Sequence, residues 1–381
     1  MGKIKLLNPE DKKLFSSHQS FPGEEGNPFD RLLRWFERIN KIPSFLFFVF
    51  LLGLTGFLTT FNINNWILLF VFSISDTILI SLAPAFKISF GKYKSQVFLL
   101  TILRSVFMWL PYPYNLIFQL IGIVLVMYGF LIEPSLVIIS TINQRFNDSN
   151  QIVHFIHLSD IHLEKLSIRE LRILNIIKRR KPDFVLFTGD FLNLSNNKDP
   201  KSIQKIITFI NQINSISPVF YVSGSPAVDL KDTIHLIRNN LNAIHLNNEN
   251  HLIEVGKAKI NLIGITCSHR PHLDIEFLPK LLDIKNLNIL LYHSPDIIFE
   301  MRPEYKLELI LSGHTHGGQL RFPLLGALFT GSLYGRKLQS GMYRIYDTLM
   351  YISRGIGLEG LGAPRVRFLC SPEIIEWFIE I

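Results

Sequence analysis

The chain has 381 residues, enough for two or three domains. Hydrophobic residues make up 48% and charged residues only 18%, whereas soluble globular domains carry about 25% charged residues. Mean hydropathy is +0.26. This composition excludes a disordered, collagen-like or disulfide-stapled chain. It leaves an unusually apolar globule, or a globular domain joined to membrane segments.

The net charge of +8 arises from 39 Lys and Arg against 31 Asp and Glu. Such an excess suits anionic lipid, a phosphorylated substrate or the basic inner loops of a membrane protein. No stripe of Lys and Arg with interleaved aromatic residues is present, so we expect no nucleic-acid partner. The two cysteines, Cys267 and Cys370, lack zinc-site spacing and allow at most one disulfide.

Residues 1–42 are predicted to form an N-terminal segment without the arrangement of a signal peptide. The distribution of Lys and Arg described below predicts that this segment is cytoplasmic. Within them an amphipathic helix is predicted. Its apolar face would comprise Phe29, Leu32, Leu33, Phe36 and Ile39. A helix of this kind just before a membrane span can lie in the lipid interface. It can equally be an ordinary surface helix packed on protein.

Residues 43–140 are predicted to form a membrane domain of about four helices. The four apolar stretches are Pro43–Phe61, Trp66–Ala83, Gln96–Leu110 and Asn115–Ile132. A span needs about 20 apolar residues, so the third stretch is short and the others suffice. Pro111 and Pro113, each followed by Tyr, form a turn that makes a hairpin of the third and fourth stretches.

The Lys and Arg residues near these stretches predict their orientation. The basic residues lie before the first stretch and between the second and third: Arg31, Arg34, Arg38, Lys41, Lys87, Lys92 and Lys94. The other two connections have none. With four spans, both termini and the domain after residue 140 lie in the cytoplasm, on a multi-pass protein of the inner membrane. If the third stretch does not span, the domain lies outside.

Two charged residues, Asp76 and Arg104, stand near the middle of adjacent apolar stretches. Charges inside a membrane usually pair or line a site. We therefore predict an Asp76–Arg104 ion pair. The alternative is that Arg104 extends towards the interface while Asp76 faces a polar cavity.

Residues 151–381 are predicted to form a layered α/β domain. Strands are expected at 152–158, 184–187 and 219–222, alternating with helices at 171–178 and 203–213. Later apolar runs separated by fewer helices indicate a second sheet. They are 259–263, 289–292, 307–311, 343–346 and 350–352.

Polar side chains follow several of these strands. The blocks are Ser159-Asp160-Ile161-His162, Thr188-Gly189-Asp190, Tyr292-His293-Ser294-Pro295-Asp296 and Ser312-Gly313-His314-Thr315-His316-Gly317-Gly318. Ligands bind at the carboxyl edge of α/β sheets, so these carboxylates and imidazoles are expected to meet in a metal site. Such a ligand set suits Mn, Fe, Zn or Ni rather than Ca.

The ordered set of blocks resembles the calcineurin-like metallophosphoesterase family, in particular its membrane-anchored bacterial branch, from about Ile152 to Glu380. The resemblance implies N-terminal transmembrane helices followed by a two-sheet α-β-β-α domain that hydrolyses a phosphodiester or pyrophosphate bond with two divalent ions (Mn, Fe or Zn). By resemblance, Asp160, His162 and His316 hold one ion, Asp190 bridges both, and His293 and His314 hold the other. Asp190 and His314 are then also catalytic. Arg321 is placed to contact substrate phosphate, or is an exposed residue at a strand end.

One motif departs from the family pattern. Where the family has Gly-Asn-His, with Asn a metal ligand and His a catalytic acid, this chain has Gly224-Ser225-Pro226. Proline can neither transfer a proton nor donate a hydrogen bond. Another acid, His269 or His272, could replace the missing His. Alternatively the protein binds metal without turnover, as a pseudoenzyme or binding protein.

The expected location suggests the substrate class. A site beside the bilayer suits a phosphorylated, amphiphilic compound, either lipid-linked or a nucleotide sugar. An example is UDP-2,3-diacylglucosamine, which members of the family branch that this chain resembles cleave. The bilayer and this substrate are the expected partners. The segment Gly355–Gly362 could be a mobile loop that admits an acyl chain, or a glycine-rich surface turn.

Overall fold

The computed structural model describes residues 4–13, 21, 27–147, 151–362 and 364–381. A helical part precedes a part built on two sheets. In chain order the longer helices are α1 (Pro28–Asn40), α2 (Ser44–Leu58), α3 (Ile63–Leu82), α4 (Lys94–Phe107), α5 (Tyr114–Met127), α6 (Ile168–Arg180), α7 (Pro200–Asn214) and α8 (Lys231–Asn240). Two four-residue helices follow, α9 (Pro271–Asp274) and α10 (Leu278–Leu281).

The strands, also in chain order, are β1 (Lys5–Leu6), β2 (Ile138–Arg145), β3 (Ile152–Leu158), β4 (Phe184–Phe187), β5 (Val219–Tyr221), β6 (Ile244–His245), β7 (Glu249–Val255), β8 (Ala258–Gly264), β9 (Leu287–Leu291), β10 (Leu309–Ser312), β11 (Arg321–Phe322), β12 (Gly326–Ala327), β13 (Gly341–Ile345), β14 (Thr348–Ile352) and β15 (Glu373–Glu380).

The predicted amphipathic helix and the four predicted apolar stretches all form helices, α1 to α5. The side chain of Phe29, one predicted member of the apolar face of α1, lies outside the described part. Among the described residues two helices are long and apolar enough to cross a membrane, Ile63–Leu82 and Tyr114–Ser135. A third is possible if α1 and α2, which meet at a 111° bend, form one broken span. Helix α4 has only 14 residues.

The predicted ion pair between Asp76 and Arg104 is confirmed. The guanidinium binds the carboxylate through two hydrogen bonds, Nε to Oδ2 at 2.6 Å and Nη2 to Oδ1 at 2.7 Å. Nη1 donates to the side-chain oxygen of Gln119 at 3.0 Å. Both charged groups are buried, so the alternative of a separated pair is wrong. The network ties α3, α4 and α5 together.

The second part contains a six-stranded and a seven-stranded sheet. Their orders are β2-β15-β3-β4-β5-β6 and β1-β13-β14-β10-β9-β8-β7. Strands β3 to β6 are parallel, as are β8, β9, β10 and β14 in the other sheet. Parallel strands with both faces covered read as continuous apolar runs, which is the pattern of β4 and β5.

Alternate residues of the strands face different layers. Phe155 and Leu186 point into the core between the sheets, where they meet Leu262 and Leu291 of the other sheet. The neighbouring side chain of Ile156 packs outwards with residues of α6 and α7. The far face of the seven-stranded sheet is covered by the helical turns on either side of β9, through Ile275, Leu278, Ile297 and Ile298. The layers therefore run α-β-β-α.

Two strands lie outside the predicted boundaries of the α/β domain. Strand β2 pairs with β15 along its whole length, Ile138 opposite Glu373 and Arg145 opposite Glu380, so the six-stranded sheet begins before residue 151. Strand β1, in the predicted N-terminal segment, adds to the seven-stranded sheet beside β13. Both strands pair with strands more than 200 residues away in the sequence, so the local sequence pattern does not predict them.

The helical part is joined to the sheets at the end of α5, which continues as a π-helical turn over Tyr128–Ile132. The buried carboxylate of Glu133 accepts hydrogen bonds from the backbone nitrogens of Leu369 (2.7 Å) and Cys370 (2.6 Å). The carbonyl of Gly129 accepts from the backbone nitrogen of Arg367 at 3.0 Å. The loop before β15 is thereby fixed against the helices.

Candidate metal centre

The six predicted metal ligands lie at the carboxyl ends of four strands. Asp160 and His162 follow β3, Asp190 follows β4, His293 follows β9, and His314 and His316 follow β10. Because two of these strands belong to each sheet, the ligands meet where the carboxyl edges of both sheets converge.

The six side chains form two groups of three that could each hold a metal ion. One group is Asp160, His162 and His316, the other Asp190, His293 and His314, with ligand atoms within 4.8 Å of one another in each. Asp190 Oδ2 lies 3.2 Å from His293 Nε2 and 3.5 Å from His162 Nε2. It therefore faces both groups, as the bridging role implied by the resemblance requires. That role stays a prediction.

The backbone at these positions is strained. Five of the six residues have positive φ, namely Asp160 (49°), His162 (43°), Asp190 (59°), His314 (69°) and His316 (50°). Non-glycine residues seldom adopt such angles, which cost about 1–3 kcal/mol each and concentrate at functional sites. The surrounding structure thus holds these side chains in place against local preference.

One oxygen of the Asp160 carboxylate lies in surroundings that suit a bound cation. Its Oδ1 accepts from the backbone nitrogen of His314 at 2.9 Å, whereas its Oδ2 is buried with no hydrogen-bond partner among the described residues. An uncompensated buried carboxylate oxygen is costly, and a divalent ion beside it would remove that cost. Gly313 allows this approach, because a Cβ there would lie 2.2 Å from Asp160 Oδ2.

The imidazoles of the centre differ in protonation. Burial lowers the pKa of His162, but the Glu359 carboxylate and both aspartates outweigh burial and raise it to about 10. Burial likewise opposes charge on His293, and Asp190 raises its pKa to about 9. Burial and neighbouring cations lower the pKa of His314 and His316 well below the usual value. Binding of metal at His162 and His293 would therefore release protons.

Two residues that sequence reasoning missed support the first group. Glu359 Oε2 lies 2.9 Å from His162 Nδ1, and the buried guanidinium of Arg367 lies 3.3 Å from His316 Nδ1. A carboxylate behind a metal-binding His orients the ring. A lone Glu within a glycine-rich segment and an Arg in an irregular loop carry no pattern that would single them out.

The segment Gly355–Gly362 forms a packed wall of the centre. The backbone nitrogens of Ile356 and Gly357 donate to the carbonyls of Ser159 (3.0 Å) and Asp160 (2.7 Å). Gln319 binds both backbone groups of Glu359, at 2.7 and 3.1 Å. Most of the segment is buried, so the expectation of a glycine-rich surface turn is wrong, whereas the mobile loop stays a prediction.

Ser225 lies inside the second group. Its Oγ is 3.0 Å from His293 Nε2, 3.2 Å from His314 Nδ1 and 3.4 Å from Asp190 Oδ2. Its backbone nitrogen donates to Asp190 Oδ1 at 2.7 Å. The hydroxyl thus faces all three predicted ligands of this group from the position where the family has an amide.

The structure separates the two candidates for a replacement acid. The ring of His269 is buried, 5.2 Å from that of His314, and stacks on Phe21 at 4.5 Å. It lines the same cleft as the ligands. His272 is exposed on α9 and borders a different cavity. His269 is therefore the better placed of the two.

Arg321 does not reach the cleft. Its Nε donates to the carbonyl of Gly317 at 2.7 Å and its Nη2 to the hydroxyl of Ser340 at 2.5 Å. It is not among the described residues that line the cleft. Its contact with substrate phosphate stays a prediction without structural support.

The cleft above the ligands combines a polar base with an apolar rim. The rim includes Leu33 of α1, Leu194, Ala227, Val228 and Phe329. Helix α1 is held there by close packing, because a Cβ on Gly362 would lie 2.5 Å from the carbonyl oxygen of Leu33. An element of the helical part thus helps to form the cleft.

Comparison with known proteins identifies the domain. The family model described as calcineurin-like phosphoesterase matches residues 153–318. The chain is 28% identical over 230 residues to the uncharacterized metallophosphoesterase YkoQ of Bacillus subtilis (58% of this chain, 82% of the relative). It is 29% identical over 232 residues to YkuE of the same organism (60% and 78%).

The name of a third relative states an enzymatic activity. The chain is 27% identical over 246 residues to phosphodiesterase YaeI of Escherichia coli, covering 60% of this chain and 83% of the relative. All six residues of the two ligand groups, from Asp160 to His316, lie within the matched residues 153–318. The chain carries a calcineurin-like metallophosphoesterase domain, the domain of metal-dependent phosphoric ester hydrolases.

Proposed function

We propose that the protein is a membrane-anchored two-metal phosphoesterase that cleaves a phosphodiester or pyrophosphate bond in an amphiphilic substrate. One observation carries the proposal. Two groups of metal-ligand type lie together, and members of both, Asp190, His314 and His316, line one cleft. The same cleft is lined by Leu33, from the helix that precedes the apolar helices.

The residues have defined tasks in this proposal. Asp160, His162 and His316 hold one ion, His293 and His314 hold the other, and Asp190 contributes to both. Imidazole and carboxylate ligands favour Mn, Fe or Zn. Two such cations polarise the phosphoryl oxygens of a substrate, neutralise developing charge and lower the pKa of a water molecule. The strained backbone keeps the ligand atoms converged before substrate arrives.

His269 is proposed to donate a proton to the leaving oxygen, the task for which Pro226 has no group. Its ring lies beside that of His314 in the cleft. General acid catalysis raises the rate of a reaction by about 10²–10⁴-fold. The gain is largest for leaving groups that depart slowly unless they are protonated. This places the leaving group on the side of the second ligand group.

The membrane placement rests on the helical part. Two helices meet the length and composition of a span. If all four apolar helices span, the basic residues before the first and between the second and third favour a cytoplasmic catalytic domain. We propose a multi-pass protein of the inner membrane that acts on a lipid-linked or nucleotide-sugar phosphoester, with UDP-2,3-diacylglucosamine as the first compound to test. The apolar rim would receive acyl chains while the base receives phosphate.

A second candidate function is metal binding without turnover. It is favoured by Ser225 and Pro226, which replace the amide ligand and the acid of the family motif. In this case the centre binds an ion that stabilises the fold, and His269 does not act as an acid.

Hydrolysis by the purified full-length protein distinguishes these functions. With Mn²⁺ the protein should cleave bis-p-nitrophenyl phosphate and UDP-2,3-diacylglucosamine, and His314→Ala should abolish both reactions. The matched control is His235→Ala, at an exposed position of α8. Metal binding without hydrolysis, together with activity gained by the Ser225→Asn/Pro226→His variant, would favour the second candidate.

A further inference from the structure

An apolar hairpin stands beside the cleft. Strands β11 and β12 pair antiparallel, and apolar side chains cover the hairpin and the residues after it. Leu324 is fully exposed, while Leu325 and Leu328 are 60% and 62% exposed. We call the set Phe322, Leu324, Leu325, Leu328 and Phe329 the apolar hairpin.

Several exposed apolar side chains stand together in this short segment. Soluble proteins seldom leave contiguous apolar patches uncovered unless the patch binds something. A loop tip normally consists of small or polar residues, whereas Phe322–Phe329 contains no charged or hydroxyl side chain. The composition therefore indicates a partner that is itself apolar.

The base of the apolar hairpin adjoins the end of a candidate spanning helix. Leu320, just before β11, packs against the buried cluster of the helical part that contains Phe130 and Val366. Leu320 also bridges to Phe368, whose ring lies 5.8 Å from that of Tyr128 at the end of α5. The hairpin thus starts where the helical part meets the sheets.

Charge within the segment that holds the apolar hairpin has one sign. Between Gly317 and Tyr346 there is no Asp or Glu, and the charged residues are Arg321, Arg336, Lys337 and Arg344. Of these, Lys337 pairs with Asp11 at 2.7 Å. Arg336 is exposed and donates to the carbonyl of Leu325 at 3.1 Å. Apolar side chains flanked by cations are the composition of segments that lie in an anionic lipid interface.

Helix α1, which also lines the cleft, has the same character. Both Phe329 and Leu33 of α1 line the cleft. On α1, Leu32 and Trp35 are 48% and 49% exposed, and the ring of Trp35 lies 6.1 Å from that of Phe98 on α4. Exposed apolar groups therefore stand on two elements that border the cleft, next to the apolar helices.

We propose that the apolar hairpin inserts into the interfacial region of the bilayer that holds the apolar helices, and sets the mouth of the cleft against the lipid surface. This inference rests on the membrane placement proposed above, and not on hydrolysis. Its consequence is that a lipid-anchored phosphoester reaches the metal centre while its acyl chains remain in the bilayer.

Nitroxide accessibility in lipid nanodiscs tests the proposal. The full chain is reconstituted in phosphatidylethanolamine and phosphatidylglycerol, and single cysteines are introduced as Leu324→Cys or, independently, Leu325→Cys. Cys267 and Cys370 are both buried, so the label attaches to the introduced thiol. The controls are Val71→Cys on α3 and Ile284→Cys before β9, which are 55% and 77% exposed.

Labels at 324, 325 and 71 should collide more often with oxygen than with a water-soluble nickel complex. The label at 284 should collide more often with the nickel complex. Lipid contact at 71 with water contact at 324 and 325 would overturn the hairpin proposal alone. Water contact at 71 would overturn the membrane placement as well. Spin–spin broadening at 324 that disappears on dilution with unlabelled protein would assign the hairpin to a second copy, and would also overturn the proposal.

Discussion

The two ligand groups of the centre share one cleft but are supported differently. In the first group, His162 contacts the carboxylate of Glu359 and His316 the guanidinium of Arg367. In the second, the Ser225 hydroxyl lies among the three ligand side chains at 3.0–3.4 Å, where a metal-binding amide is expected. The rings of the second group contact backbone carbonyls instead, His293 Nδ1 that of Thr188 at 2.7 Å and His314 Nε2 that of Gly331 at 3.0 Å. The two groups thus differ in the charge of their outer partners and in the ligand type offered at residue 225.

This difference indicates unequal metal affinities. Outer partners that fix ligand orientation change affinity by about 10–100-fold, and among the described residues only the first group has a carboxylate, that of Glu359, against the outer nitrogen of a ligand imidazole. The second group lies next to His269, the candidate acid. We therefore expect the first ion to determine whether the centre forms, and the second to limit how fast the reaction proceeds.

Removing a ligand of the first group should have the largest effect. Asp160→Asn replaces the buried carboxylate that faces the first ion, and electrostatic stabilisation by a metal is worth several kcal/mol, about 10³-fold or more in rate. Diester hydrolysis and bound Mn²⁺ should both fall, whereas the exposed control Asp232→Asn should change neither. Full activity of Asp160→Asn would refute the assignment of this group.

Removing the candidate acid should cost less and should depend on the leaving group. His269→Ala should slow hydrolysis of an alkyl diester by about 10²-fold and hydrolysis of a p-nitrophenyl diester only slightly, since p-nitrophenolate leaves without a proton. The measurement is kcat for both substrates at saturating Mn²⁺. His272→Ala is the matched control, and equal effects of the two variants would contradict the placement of the acid.

Weakening the support of the first group should lower its affinity without abolishing it. Glu359→Gln keeps the size of the side chain but removes the charge beside His162, so the first Mn²⁺ should bind about 10–100-fold more weakly. Calorimetric titration measures this change, with the exposed Glu304→Gln as control. A change confined to the weaker ion would show that Glu359 serves the other group.

Acid should destabilise the sheet part through His157, which connects to the second group. His157 Nε2 is 2.9 Å from Thr188 Oγ1, and the carbonyl of Thr188 contacts His293 Nδ1 at 2.7 Å. Burial lowers the pKa of His157 to about 3, below its unfolded value of about 6.5. The folded state therefore holds the neutral form, and its full stability is present above the unfolded pKa.

As pH falls from about 6.5 towards 3, the unfolded state gains the proton first and this stability is lost, by about 2 kcal/mol at pH 5. Thermal unfolding in detergent and EDTA at several pH values measures the loss. His157→Gln cannot titrate, so its stability should depend less on pH. Parallel pH profiles of the two proteins would contradict a neutral buried His157.

Restoring the amide should have the smallest effect. Ser225→Asn offers the second group an additional ligand, and we expect the weaker Mn²⁺ to bind about tenfold more tightly, or about 1.4 kcal/mol. The tighter ion should be unaffected. Ser225→Ala, which removes the hydroxyl without adding a ligand, is the control, and equal affinities of the two variants would show that residue 225 does not face the metal.

The parts of the centre that the sequence predicts are those in local motifs. Asp160 and His162 stand two residues apart after a strand, and His314 and His316 repeat the pattern. Asp76 and Arg104 are the only charges within their apolar stretches, so their pairing follows from the cost of an unpaired charge in apolar surroundings.

The residues that sequence reasoning missed act over long distances. Glu359 reaches His162 across nearly 200 positions, and β15 recruits β2 across more than 200. Nothing in the periodicity near Glu359 or Arg367 distinguishes them from exposed charges. Their roles depend on where the loops before β15 are packed, which is a property of the whole fold.

The most direct test counts metal ions and measures hydrolysis on the same sample. Mn²⁺ is titrated into metal-free full-length protein while bound metal and cleavage of bis-p-nitrophenyl phosphate are followed. Unequal ligand groups predict one tighter and one weaker ion, with hydrolysis rising as the weaker ion binds. Two equivalent ions, hydrolysis complete with the first ion, or hydrolysis without metal would contradict the account.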